Sequence, residues 1–475
     1  MPSNVIEIID GTAREPKLRL RTTPPCDKYI ALSYCWGGDQ SFKATKSTID
    51  DFTRCINHSD LPRTLQDAIT VTLELGCRFL WVDVLCIIQD DKVHTAKEIA
   101  MMPRIYENAY ATVIAARSKS CDEGFLQDIT TPTPSSDIFR FPLCGDNLTS
   151  GSILCFDQNS LKMDPIEERA WPLQEFLLSR RLIRFGHHQV TWICRQSWKT
   201  TREDETLNWF LRREQEKVDM KTEFYEGSMD LFTWDKLIWN YTGRDLSDQH
   251  DRLLAISGIA SKLAEKSQDA YIAGMWYSHL PRALLWEMAS STSSGRPSPY
   301  RAPTWAWTSV DGKISFGMGM NTMEDPDFRI LSIDSEPTQR SARYGNLNHA
   351  SITVRGWIRK LYWTDSSSTL LELDQLGSLE DDKRDTLALT IPDVSDDEKH
   401  DMLPVWCLQI CSHDLNDGPY GLILTEKEEK VFERRGVFQF SSLIHERWPA
   451  PLRDTRLEKM RSWKSFCDLQ TVVLI

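Results

Sequence analysis

Between residues 27 and 195, short apolar runs that suit strands alternate with segments whose apolar residues recur every three or four positions. Tyr29–Cys35 predicts a buried strand that stops at the Trp36-Gly37-Gly38 turn. Leu61, Leu65, Ala68, Ile69, Thr72 and Leu75 then fall on one face of a helix, with Pro62 near its start, Thr64 and Asp67 spaced like a capping box, and Gly76 at its end. Arg78–Ile88 predicts a second buried strand, with Asp83 in mid-strand. A second helix is expected over about 95–109, with Ile99, Met102, Ile105, Tyr106 and Ala109 on its face; Pro103 predicts a kink or a new start. Tyr110–Ala116 is the third strand. Strand–helix–strand–helix–strand implies a parallel sheet covered by helices, with these three runs as adjacent central strands.

Ile138–Cys144 and Ser152–Phe156 flank Gly145-Asp146-Asn147 and predict an inserted hairpin. A short helix near Leu173–Leu178 and a strand at Val190–Cys194 follow. The 475 residues exceed one hydrophobic core. The expected division is an α/β domain over 27–195, a helical region over 196–300 and a β-rich region over 301–475. Strands are expected near Ile352–Ile358 and Leu403–Ile410, and at Leu387–Ile391 inside the acidic stretch Asp381–His400. No internal repeat is evident.

The net charge of −13 disfavours nucleic-acid backbones, and Arg180, Arg181 and Arg184 read as a solvated helix end or as partners of carboxylates. The 12 cysteines form no CxxC pair, so a zinc site is not expected; Cys35, Cys86, Cys155 and Cys194 lie in apolar runs and read as small buried hydrophobes. Free thiols suit a reducing compartment. Residues 1–20 lack a signal-peptide pattern. The longest apolar stretch, Phe79–Ile88, contains Asp83 and falls short of the roughly 20 residues a bilayer span needs. A soluble, cytoplasmic protein is expected. No GxxxxGK[ST] phosphate loop occurs.

Five ordered blocks resemble the fungal heterokaryon-incompatibility (HET) domain family: Ala31–Gly37 (ALSYCWG), Leu61–Ile69 (LPRTLQDAI), Leu80–Asp90 (LWVDVLCIIQD), the Glu98, Met102, Ile105, Tyr106 and Ala109 helix, and Arg169–Glu175 (RAWPLQE). Pro103 departs from the family helix. The resemblance implies self/non-self recognition and programmed cell death on fusion of unlike hyphae, a form of innate immunity. It also implies self-association and an allelic or NLR-type protein partner. The HET domain in turn resembles Toll/interleukin-receptor (TIR) domains, some of which cleave NAD with a glutamate placed as Glu175 is in Trp171-Pro172-Leu173-Gln174-Glu175. That implies NAD as a substrate, with no permanently bound cofactor and no metal.

Breaking the nicotinamide–ribose bond develops oxocarbenium character, which one carboxylate can stabilise; nicotinamide leaves neutral, so no acid is required. Glu175 is the catalytic candidate. Ser33, Tyr34, Trp36, Gly37, Asp83, Cys86 and Trp171 are candidate ligand contacts, with the aromatic rings available for stacking. Plainer roles stand beside these. Glu175 can cap its helix or pair with Arg180 or Arg181. Asp83 can be a structural acceptor, Tyr34 and Trp36 can be core, and Glu98 can face solvent. Cys86 with His94 would make a nucleophile–base pair, although no third orienting residue is evident. His187-His188 point to opposite faces if they lie on a strand, and so make a poor metal pair. A nucleotide-consuming signalling enzyme, a non-enzymatic adaptor and a cysteine hydrolase are thus the functions to separate.

Overall fold

The computed structural model describes residues 2–10, 16–22, 27–127, 138–143, 151–156, 163–187, 189–194, 197–201, 208–226, 230–289, 295–316, 322–338, 343–364, 369–371, 388–394, 402–413, 418–440 and 462–475. The chain divides into two compact units, Met1–Gly227 and Ser228–Ile475.

Unit 1 is built on one eight-stranded sheet. In chain order its elements are β1 (Asn4–Asp10), β2 (Lys17–Thr22), β3 (Tyr29–Ser33), α1 (Ile49–Arg54), α2 (Arg63–Glu74), β4 (Phe79–Trp81), α3 (Asp83–Cys86), α4 (Lys92–Asn108), β5 (Ala111–Ile114), β6 (Ile138–Leu143), β7 (Gly151–Phe156), α5 (Trp171–Leu178), β8 (Arg181–Phe185), β9 (Val190–Cys194), β10 (Trp198–Thr200) and α6 (Asn208–Glu226). The sheet order is β2-β1-β4-β3-β5-β8-β9-β10, and β6–β7 form a separate antiparallel pair. The four central strands β4, β3, β5 and β8 run parallel, and the outer strands are antiparallel. Strands buried on both faces need continuous apolar runs, and every residue of β3, β4 and β5 is buried. The three predicted runs are therefore neighbours in one sheet. The β1–β2 hairpin extends the same sheet from residues before 27, and β1 pairs with β4.

Four local expectations are corrected. The apolar run Arg78–Ile88 is not one strand. It ends at Trp81 and turns into the short helix α3, so Asp83 starts a helix and does not sit in mid-strand. A continuous apolar run carries no period that separates the two cases. The second helix begins earlier than expected and passes through Pro103: Asp91 caps α4 by accepting from Val93 and His94. A proline inside a helix costs about 3 kcal/mol. Burying Met102 and Ile105 returns about 1.5–3 kcal/mol each, enough to hold the helix together.

Thr64 and Asp67 do not cap α2, whose first turn has no side-chain cap. They clamp the loop after β5 instead. Thr64 Oγ1 donates to the Ser120 carbonyl and accepts from the Gly124 amide, while Asp67 Oδ2 accepts from the Phe125 and Leu126 amides at 2.7 and 3.1 Å. Finally, Arg181 and Arg184 lie on β8 and not at a helix end. Arg184 is buried and pairs with Asp164 and Glu167, which fits the other reading of that patch.

Unit 2 opens with helices Leu231–Thr242 and Leu254–Ser267. Trp234, Trp276, Trp305 and Trp307 are fully buried there. The Trp234 and Trp307 indoles both donate to the Gly274 carbonyl, at 3.2 and 2.8 Å. A Cβ at Gly274 would stand 2.6 Å from Trp307, at φ +93°, so glycine is required. The β-rich remainder contains two of the predicted strands as parts of Leu347–Thr364 and Leu403–His413, and Ala388–Pro392 overlaps the third, whose Leu387 lies outside the described residues. With Thr369–Leu371, Pro419–Glu428 and Val431–Gln439 they pair into a closed antiparallel ring, each strand bonded to the next. Leu361, Trp363, Leu370, Val405, Ile423 and Phe438 belong to one of its cores.

Candidate functional site

The parallel strands run second, first, third, fourth in chain order, with β4, β3, β5 and β8 as those four. The connections leaving β3 and β5 therefore diverge to opposite sides, the topology at which open α/β sheets bind ligands beyond the carboxyl ends of their strands. Ser33 is the last residue of β3 and pairs with Ile114 at the end of β5. Tyr34, Cys35 and Trp36 continue from it.

Two carboxyls meet here. Asp83 is half-buried. Its Oδ2 accepts from the Trp36 indole at 2.9 Å and its Oδ1 from the Val84 amide at 2.7 Å. Burial raises its pKa above the usual carboxylate range, while the Trp36 and Val84 bonds, the Arg169 charge and the Tyr34 hydroxyl oppose the rise. Glu175, on α5, is 7% exposed. Burial pushes it up to about 7 and the Asp83 charge adds to this, against Ser33, Tyr106 and Arg169, which favour its ionised form. Asp83 lies close enough to raise Glu175, and one partly exposed guanidinium, Arg169, attends both. Its Nη1 donates to the Tyr34 carbonyl at 3.4 Å.

The hydroxyls around the acids are unusual. Ser33 Oγ and the Tyr34 hydroxyl are buried and make no hydrogen bond of ordinary geometry, yet each lies near enough to a carboxyl, Ser33 to Glu175 and Tyr34 to Asp83, to bias its charge. Buried polar groups seldom go unsatisfied without reason. Tyr106 donates to the Leu32 carbonyl at 3.1 Å and its hydroxyl faces Glu175. Burial keeps both phenols protonated well above their ordinary range.

The structure thus gathers Glu175, Ser33, Tyr34, Trp36 and Asp83. Gly37 supports the turn. Its φ is +80°, and a Cβ there would lie 2.2 Å from Ser120 Cβ on the clamped loop after β5. Trp171 is half-buried against the core at the start of α5. Cys86 is fully buried, and burial pushes its thiol far up. His94 Nδ1 instead accepts from the Ile88 amide at 3.2 Å, so the pair is not poised as nucleophile and base. Glu98 is not solvated, as its helix position had suggested: it is 1% exposed and accepts from Ser3. Glu175 pairs with neither Arg180, which reaches Glu107, nor Arg181, which donates to the Tyr110 carbonyl. His187 bonds Asp164, and His188 lies outside the described residues. The described residues include no His/Cys/Asp/Glu group able to hold a metal. Tyr106 and Arg169 were missed as site residues. Both stand in the motif blocks, but Tyr106 reads as one more apolar residue of a helix face.

Residues 29–175 match the family model of the heterokaryon incompatibility protein (HET). The chain carries a HET domain. The match ends on Glu175 itself, so the family segment spans the site from β3 to the acid on α5. No curated protein and no solved structure matches the chain. A heterokaryon-incompatibility type of function follows for the HET domain. Among the described residues no helix is long and apolar enough to cross a membrane.

Proposed function

We propose that the HET domain is TIR-like and kills the cell on non-self recognition by cleaving NAD, or a related pyridinium nucleotide, at the Glu175 site. The observation that carries this reading is the convergence of the Glu175 and Asp83 carboxyls with the buried Ser33 and Tyr34 hydroxyls, beyond the ends of parallel strands. A carboxyl held near pH 7 is readily ionised by a cationic ring placed beside it. The carboxylate then stabilises the ribose as the C–N bond breaks and the bonding pair leaves with neutral nicotinamide. Water adds to the ribose and releases a proton, giving ADP-ribose. Ser33 would orient a ribose hydroxyl, and Trp36 and Trp171 would stack on a ring.

A non-enzymatic adaptor, which self-associates and recruits an allelic or NLR-type partner, is favoured by a different observation. Glu175 is only 7% exposed and engages Ser33, Tyr106 and Arg169, as an internal structural acid would. The two readings part on NAD loss by the purified full chain, alone and artificially clustered, beside Glu175→Gln. Loss of NAD in the wild type and not in the variant supports cleavage. A folded, self-associating Glu175→Gln protein that kills at full strength refutes it and leaves the adaptor.

A further inference from the structure

The helix that carries Glu175 is eight residues long, and its carboxyl-terminal carbonyls have no partners within the helix. All four are answered from outside. The Glu175 carbonyl accepts from the Ser179 amide at 3.3 Å and from Ser179 Oγ at 2.7 Å. Ser179 Oγ is itself 2.7 Å from Thr112 Oγ1 on β5. The Phe176 and Leu177 carbonyls both accept from the Lys221 ammonium, the second at 3.0 Å. The Leu178 carbonyl accepts from the Tyr225 hydroxyl at 2.8 Å.

Lys221 and Tyr225 belong to α6, beyond the residues that match the HET family. Lys221 is 2% exposed, an uncommon place for an ammonium, and its charge faces the negative end of the α5 dipole. It also lies over the rings of Phe176 and Tyr225, at 5.1 and 5.5 Å. One turn earlier on α6, Lys217 pairs with Glu167, in the turn that leads into α5. The same helix therefore grips the segment that carries Glu175 on both sides of the acid.

We propose that Lys221 is a positioning residue for Glu175: by fixing the last turn of α5 it holds the Glu175 carboxyl in the enclosed acid cluster beside Ser33, Tyr106 and Asp83. The proposal builds on the reading of Glu175 as the working residue, but its test does not depend on turnover. Lys221→Met keeps the length of the side chain and removes the donors. Lys221→Arg restores a cation with donors. In the full chain, two quantities are read: amide hydrogen exchange over 171–179, and the titration midpoint of the Glu175 carboxyl, assigned by the signal that Glu175→Gln removes.

Lys221→Met is expected to speed exchange in α5 about tenfold, with β3 and β5 unchanged. It should also lower the Glu175 midpoint by about half a pH unit or more as water reaches the acid. Lys221→Arg should bring both back toward wild type. An unchanged midpoint overturns the proposal, whether α5 exchange is unchanged or exchange rises evenly through unit 1. If Lys221→Met does not fold, Tyr225→Phe, which removes one bond, decides: a smaller shift in the same direction supports the proposal and none overturns it. A wild-type chain that leaves NAD intact would count against the cleavage reading without altering either readout.

Discussion

Replacing Glu175 with glutamine should change how stability depends on pH before it changes anything else. The carboxyl moves from 4.5 to about 7 on folding, chiefly through burial. A raised carboxyl means that the folded state holds its proton where the unfolded state has already released it. Stability from this group is therefore complete below about pH 4.5 and is lost as pH rises through about 7. The span corresponds to about 3 kcal/mol in all, of which about 2 kcal/mol falls between pH 5.5 and 8.5. Glutamine carries no proton to lose and keeps much of the hydrogen bonding. Urea unfolding of the wild type and of Glu175→Gln at pH 5.5, 7 and 8.5 should show the variant gaining on the wild type by about 2 kcal/mol across that range. Asp83, also raised, should leave part of the slope in the variant. A difference between the two proteins that stays constant with pH would mean that Glu175 titrates as an ordinary exposed acid, and the buried-pair reasoning would be wrong.

Asp83→Ala strips the acceptor from the Trp36 indole and the Val84 amide and should cost about 1–3 kcal/mol in thermal or urea unfolding, with Asp83→Asn milder. Gly37→Ala places a Cβ against Ser120 at positive φ and should cost a similar amount, read in the same assay. Asp67→Ala leaves the Phe125 and Leu126 amides without their acceptor, so hydrogen exchange at those two amides should rise well before exchange in β5. Alkylation of the native chain should mark the exposed Cys55 long before Cys86; fast labelling of Cys86 with loss of activity would revive a cysteine mechanism.

The sheet was legible because its strands are apolar without interruption and its helices are apolar on one face. The continuous runs at Tyr29, Phe79 and Ala111 could only be interior, and they are. The same continuity hid the break after Trp81, because a buried strand and a buried helical turn look alike without a period. β8 was unreadable: its alternation of Arg181 and Arg184 with apolar residues resembles a basic surface until Asp164 and Glu167, distant in sequence, are seen to neutralise Arg184. Of the site, Glu175, Ser33, Tyr34, Trp36 and Asp83 were legible as motif residues. That Tyr106 turns its hydroxyl toward the acid was not, since a helical face records which residues are buried and not where a polar tip points.

The grip of α6 on α5 also bears on where this protein can be cut. A boundary drawn at the end of the family segment, or anywhere before residue 208, keeps every motif residue and discards the donors that complete the helix carrying Glu175. Such a fragment would open the last turn of α5 and the ring of Phe176 to water, and its Glu175 midpoint would fall below that of the full chain. An inactive fragment of that length would therefore report a frayed helix end, not the chemistry of the HET domain. The smallest piece in which that chemistry can be judged runs through Tyr225.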